Sequence, residues 1–166
     1  MTTVGILSDT HNTFDDKLRG FLTPCDELWH AGDFGSQELA DRLAAFRRVR
    51  GVYGNIDGGT TRIVYPLWQS FECEGVRVLM THIGGYPGHY ERRALERIVA
   101  ERPTIFISGH SHILKVIYDK KHDVLHINPG AAGVSGFHNV RTAIRLTITD
   151  GHIGEMEVGQ WDKRQP

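Results

Sequence analysis

Short apolar runs alternating with polar, glycine-containing segments set the pattern of the first two-thirds of the chain. Val4-Gly5-Ile6-Leu7 is a run of the kind found in a strand covered on both faces. Phe14, Leu18, Phe21 and Leu22 recur at helical spacing, and Pro24 helps to end that helix. Residues 28–31 predict a second strand. Ser36 is placed as an N-cap, and Leu39, Ala40, Leu43 and Phe46 mark one face of the helix behind it. Residues 49–53 and 76–80 read as further strands. Tyr90, Ala94, Leu95, Ile98 and Val99 predict a third amphipathic helix closed by Pro103, and 104–108 another buried strand.

The last third changes character. Residues 114–118 and 124–127 flank the polar turn Asp119-Lys120-Lys121, the signature of a hairpin, and Ile144, Leu146 and Ile148 alternate with polar neighbours ahead of the turn pair Asp150-Gly151. Strand–helix units followed by hairpins predict an α/β fold with two packed mixed sheets and helices outside. The 166 residues carry no long linker, repeat or low-complexity tract, so one domain over 1–166 is expected.

Composition narrows the function. An apolar fraction of 40% supplies a hydrophobic core, and a formal net charge of -1 lacks the basic footprint of a general nucleic-acid binder. No run approaches the roughly 20 apolar residues of a membrane span, and the N-terminus lacks a signal-peptide pattern, so a soluble cytoplasmic protein is expected. Cys25 and Cys73 lack metal-type spacing. Ten histidines is a high count for this length, and their placement matters.

The predicted strands end in polar residues of a restricted kind. The first runs into Asp9 and His11, the second into Gly32-Asp33, and the third into Gly54-Asn55 with Asp57 nearby. The strand before Thr81 runs into His82, and the next into Gly109-His110 and His112. In open α/β sheets, ligands bind beyond the carboxyl ends of strands, so one rim is expected to carry all these groups. Glycine before a ligand candidate lets a metal or phosphate approach the backbone closely. Carboxylate, amide and imidazole without thiolate suit manganese, zinc, iron, cobalt or nickel. Seven candidates exceed the needs of one ion, whereas two ions about 3.5–4 Å apart, sharing a carboxylate, would use them all. Asp33 is placed as that bridge. Asp57 is read as bracing its loop, His30 as a hydrogen-bonded strand residue, His122, His126 and His152 as solvent-facing, Arg141 as sheet-surface charge, and His138 as a weaker substrate-contact candidate.

At these residues the chain resembles the calcineurin-like metallophosphoesterase superfamily. The shared pattern is Asp9-x-His11, Gly32-Asp33, Gly54-Asn55-x-Asp57, the lone His82, and Gly109-His110-x-His112. The short length and the Asn128-Pro129-Gly130 turn are similar to its small YfcE-type phosphodiesterase branch. The resemblance implies a four-layer α/β/β/α sandwich. It implies one metal on Asp9, His11, Asp33 and His112, and a second on Asp33, Asn55, His82 and His110, manganese foremost. It further implies in-line attack of a metal-bridging hydroxide on a small phosphodiester, with Asp33, Asn55 and His82 in catalytic roles. A phosphomonoesterase or nucleotide hydrolase using the same site, or a non-catalytic scaffold of the same fold, are the alternatives. No membrane partner is expected, and a homo-oligomer is compatible with the sequence. The chain departs from many relatives in two places. Ile56 stands where they carry a histidine thought to protonate the leaving group, and Ile83-Gly84 follows His82 where branch members have a second histidine, with His89 the nearest substitute.

Overall fold

The first strand shows how the sequence builds two cores at once. A computed structural model describes residues 1–164. In β1 (Thr2–Leu7), Val4 and Ile6 point into a core between two sheets, while Leu7 points the other way, under helices. Alternation with period two therefore buries both faces, which explains the continuous apolar run. The next elements are α1 (Asp16–Leu22), β2 (Glu27–His30), α2 (Gln37–Phe46), β3 (Arg48–Gly51), α3 (Gly59–Val64), β4 (Trp68–Cys73) and β5 (Val76–Thr81). They are followed by α4 (Arg92–Glu101), β6 (Ile105–Ile107), β7 (Leu114–Asp119), β8 (Val124–Pro129), β9 (Val140–Thr149) and β10 (His152–Asp162). Ser36 caps α2 as expected, its hydroxyl accepting the Leu39 N–H at 3.2 Å.

One sheet has the order β10-β9-β1-β2-β3, the other β4-β5-β6-β8-β7. In the first, β1, β2 and β3 run parallel, with β9 and β10 antiparallel beside them. In the second, β5, β6 and β8 run parallel, with β4 and β7 antiparallel at the edges. Ile6, Trp29, Met80, Ile107, Ile127 and Ile144 pack between the sheets. Leu18 and Leu22 of α1 and Leu39 and Leu43 of α2 cover one outer face, and Ala94 and Ile98 of α4 cover the other. This is the four-layer α/β/β/α arrangement. Among the described residues no helix is long and apolar enough to cross a membrane.

Three elements lie outside the sequence-based expectation. Helix α3 is short, opens on Gly59 and is rich in β-branched residues, which weakens its pattern. Strands β4 and β10 are edge strands, and β10 carries a register shift between Ile153 and Met156. The amphipathic helix expected from Tyr90 begins only at Arg92, as α4.

Two polar residues expected at the surface are buried. Arg141 is fully buried; its guanidinium donates to both Asp15 oxygens at 2.7 and 3.0 Å and to the Ala132 carbonyl at 2.7 Å. This pairing holds the Asp15 carboxyl below its ordinary value, against partial burial. His126 is buried because β8 lies between β6 and β7, which places the ring under the helical layer beside Phe106 and Tyr90. Neither of its ring nitrogens has a hydrogen-bond partner among the described residues.

Burial, helped by the Lys115 charge, pushes His126 down to about 4. The unfolded chain therefore binds a proton that the folded chain refuses between about pH 4 and the ordinary 6.5. Its contribution is complete above the upper value and is lost as the pH falls through this window. Replacing an unsatisfied buried polar group with an apolar one of similar size removes a penalty of about 1–3 kcal/mol. His126→Leu is expected to raise Tm by at least about 2 °C at neutral pH and to flatten the dependence of Tm on pH across that window. Calorimetry over a pH series measures both effects, and an unchanged profile would contradict the assignment.

Candidate metal centre

The parallel strands of the two sheets deliver their polar C-terminal residues to one rim: Asp9 and His11 beyond β1, Asp33 beyond β2, Asn55 beyond β3, His82 beyond β5, and His110 and His112 beyond β6. The backbone turns sharply at most of them. Asp9, His11, Asp33, His110 and His112 all adopt left-handed conformations, with φ of 53°, 43°, 61°, 71° and 63°. Such positions cost on the order of 1–3 kcal/mol each for a non-glycine residue and persist only where surrounding contacts impose them. Here the loops impose them on one another. The Asp9 N–H donates to the Gly32 carbonyl at 2.9 Å, His11 N–H to Asp33 at 3.2 Å, and Gly109 N–H to His82 at 2.9 Å. Asp57 braces the second and third loops, accepting the Asp33, Gly54 and Gly35 N–H groups at 2.9, 2.8 and 3.1 Å. Gly54 is required by space, since a Cβ there would lie 2.0 Å from Asp33 Oδ1.

The side chains converge around two buried carboxylates. Asp9 Oδ2 is occupied by the Ser8 hydroxyl at 2.5 Å and the His110 N–H at 3.1 Å. Asp9 Oδ1 has no hydrogen-bond partner and faces His112 Nε2 at 3.2 Å and His11 and His82 Nε2 at 3.8 Å. Asp33 divides its oxygens in the same way. Oδ1 accepts the Ile56 N–H at 3.1 Å, and Oδ2 lies 3.6 Å from His11 Nε2 and 3.2 Å from His82 Nε2. Asn55 Oδ1 sits between His82 Nε2 at 3.0 Å and His110 Nδ1 at 3.1 Å. The imidazoles form two edge-to-face pairs, His11 with His112 and His82 with His110, at centroid separations of 5.6 and 5.3 Å. All seven sequence candidates are thus brought together. Asp33 Oδ2 reaches toward one imidazole of each pair, as does Asp9 Oδ1.

Partners behind the rings determine which nitrogen faces inward. His82 Nδ1 meets the Ala31 carbonyl at 2.7 Å, an acceptor only, so this nitrogen carries a proton and Nε2 is the one turned toward the site. His112 is oriented by a longer relay. His138 Nε2–H donates to the Gly133 carbonyl at 2.8 Å, which leaves His138 Nδ1 to accept His112 Nδ1–H at 3.1 Å and turns His112 Nε2 toward Asp9. Burial also pulls His138 below its ordinary pKa, which suits an acceptor.

The electrostatics suit cations. Burial alone would raise Asp9, but His11, His112 and His82 around it hold its carboxyl well below the usual carboxylate range. Asp9 raises the His11 imidazole against burial, and Asp33 and Asp9 raise His82 although burial acts to lower it. Carboxylate oxygens and imidazole nitrogens turned toward one another, in a pocket that favours positive charge, match the needs of divalent metal ions. Two compact groupings, Asp9-His11-His112 and Asp9-Asp33-His82, have ligand atoms within 4.8 Å of one another.

His30 has the hydrogen-bonded role read from sequence, meeting Thr10 Oγ1 at 3.0 Å and the Gly32 N–H at 3.1 Å while stacking on Phe34. His89 is exposed against Tyr86 and makes no recorded contact with the candidate ligands. The relay through His138 escaped sequence reading as such; its only signal was a histidine in a glycine-rich loop.

Comparison with known proteins accords with this geometry. The model of the calcineurin-like phosphoesterase superfamily domain matches residues 2–151, and the chain belongs to that superfamily. No curated protein matches. Among solved structures, zinc-complexed Vps29 from Entamoeba histolytica superposes with a TM-score of 0.75 at 17% identity, covering 97% of this chain and 99% of its own. An archaeal phosphodiesterase gives 0.72 at 21% identity, covering 94% and 99%. A conserved protein of Streptococcus pneumoniae described as a predicted phosphoesterase gives 0.66 at 22% identity, covering 98% and 90%. At these identities the structures establish a shared fold.

Loss of the partner that orients a metal-binding imidazole typically costs about 10–100-fold in affinity. His138→Phe is expected to weaken metal binding by that factor in competition with a chromophoric chelator. Undiminished affinity would show that the relay does not orient His112.

Proposed function

We propose that this chain is a phosphodiesterase that uses two divalent transition-metal ions to hydrolyse small phosphate diesters. The observation that carries this reading is the pair of buried oxygens, Asp9 Oδ1 and Asp33 Oδ2, facing imidazole nitrogens with no lysine or arginine paired to either carboxylate among the described residues. Asp9, His11, Asp33 and His112 would hold one ion, and Asp33, Asn55, His82 and His110 the other. The mixed oxygen and nitrogen donor set accommodates manganese, with zinc, iron, cobalt and nickel as alternatives. The zinc complex of the Entamoeba relative supports a divalent metal in this fold, and the archaeal phosphodiesterase supports diester chemistry.

When bound, the ions would supply a water ionised far more easily than bulk water, with a pKa of about 7 on zinc, and positive charge for the phosphate oxygens. The remaining steps belong to the protein. Asp33 would set the spacing of the two halves of the site, because the Ile56 N–H tethers its Oδ1 and turns Oδ2 toward both His11 and His82. Ala31 and His138 engage Nδ1 of His82 and His112, which leaves Nε2 of each to meet an ion. Asn55, exposed at the mouth, is positioned to meet the substrate phosphate as well as an ion. Ile56 offers only alkyl surface where a proton donor would assist the departing oxygen, so a good leaving group must depart unaided.

Assays on aryl monoesters and diesters in parallel test the diester preference, and faster turnover of the monoester would favour a phosphomonoesterase. For diesters, log kcat is expected to fall steeply as leaving-group pKa rises; a flat plot would indicate an acid supplied from elsewhere. Asp33→Ala is expected to lower kcat/KM by more than about 100-fold, beyond what losing a ligand's supporting partner costs. Near-full activity in that variant would remove Asp33 from the bridging role.

A further inference from the structure

We propose that the site selects diesters carrying a nucleoside arm, whose base occupies a cavity beside the candidate metal centre; the inference rests on the phosphodiesterase reading and names its substrate class. The cavity is about 500 Å³ and shares Asn55 and His82 with the centre, so an arm esterified to phosphorus there enters it directly. That volume lies within the range of about 300–1,000 Å³ common for small-molecule sites.

The walls determine what fits. Tyr53, Trp68, Leu67 and Ile83 present aromatic and aliphatic surface. Both rings are held in advance. The Arg62 guanidinium lies 4.5 Å from the Tyr53 ring centre and is itself anchored on the Asp57 carbonyl at 2.7 Å. The Arg97 guanidinium lies 4.6 Å from the Trp68 ring centre and is anchored on Glu101 at 2.6 Å. Prepositioned rings lose little freedom when a planar group stacks on them.

Polar groups at the edge decide among planar and non-planar arms. Arg93 is exposed and lines the cavity, and its guanidinium has no recorded partner among the described residues. Glu91 lies beside it, with one carboxylate oxygen accepting the Arg93 N–H at 3.0 Å and the other available. An alkyl arm would satisfy the walls and leave both edge groups unused. A second anionic group would suit Arg93 but not the walls or Glu91. A heteroaromatic base has flat apolar faces and a rim bearing both donors and acceptors, so it matches all three.

The reaction then balances simply. Water's oxygen bonds to phosphorus, the bond to the ester oxygen opposite the nucleoside arm breaks, and water's two protons divide between the departing alcohol and the nucleoside monophosphate.

The test compares kcat/KM for adenosine monophosphate p-nitrophenyl ester with that for methyl p-nitrophenyl phosphate, which share a leaving group. A base stacked on an aromatic wall is expected to favour the first by about tenfold or more. Trp68→Leu should bring the ratio close to one, and Trp68→Phe should keep most of it. The exposed Arg93→Ala, which disturbs no core contact, should lower it severalfold. In parallel, saturation-transfer NMR of adenosine monophosphate should show contact at the base protons in the wild type and lose it in Trp68→Leu. A wild-type ratio near one, or a ratio unmoved by both Trp68→Leu and Arg93→Ala, overturns the proposal while leaving the phosphodiesterase reading intact. Absence of turnover on either ester would instead overturn that reading, and the NMR contacts alone would then decide the subsite.

Discussion

Two aspartates buried side by side are the constraint to which the rest of this structure answers. Asp9 and Asp33 lie at the ends of adjacent parallel strands, both nearly inaccessible to water, and the groups within ion-pair reach are His11, His82 and His112. Buried carboxylates of this kind are costly unless positive charge compensates them. Protonated imidazoles can do so in part, which is the sense of the raised His11 and His82 values. Divalent cations would do so more completely, and the inward-turned nitrogens and unpartnered Asp9 Oδ1 are arranged for that exchange. The left-handed backbone at five of the candidate ligands, the Asp57 brace and the tight space at Gly54 are parts of the same arrangement.

The sheet topology makes this clustering affordable. Parallel strands bring their carboxyl ends to one side, and two sheets packed through Ile6, Met80, Ile107 and Ile144 bring two such rims together. Asp9, Asp33 and Asn55 come from one sheet, His82, His110 and His112 from the other. The site therefore depends on the inter-sheet core, while its specificity depends on loops outside it. Trp68, Glu91 and Arg93 come from the edge strand and the approach to α4, where substitutions disturb the framework least.

Much of this was legible in the sequence because buried parallel strands write themselves as apolar runs with a polar residue at the end. β1, β2, β5 and β6 were readable for that reason, and six of the seven candidates lie just beyond their ends, with Asn55 beyond β3. The edge strands β4 and β10 were not, although β3 and β7, also edges, were. The alternation of β4 and β10 is diluted by polar and glycine positions. His126 and Arg141 were misread because a polar residue in a hairpin region is usually solvated. Whether a strand is an edge or an interior one is a property of pairing order, which local pattern does not carry. The relay from Gly133 through His138 to His112 lay beyond reach for a related reason, since it joins a loop after β8 to one after β6 by a contact between side chains.

Anomalous diffraction from crystals grown with manganese tests the account most directly. The central claim predicts two anomalous peaks at the shared rim, about 3.5–4 Å apart, with Asp33 touching both and Asp9, His11 and His112 on one side. A single peak, peaks away from the rim, or none at saturating metal would contradict it.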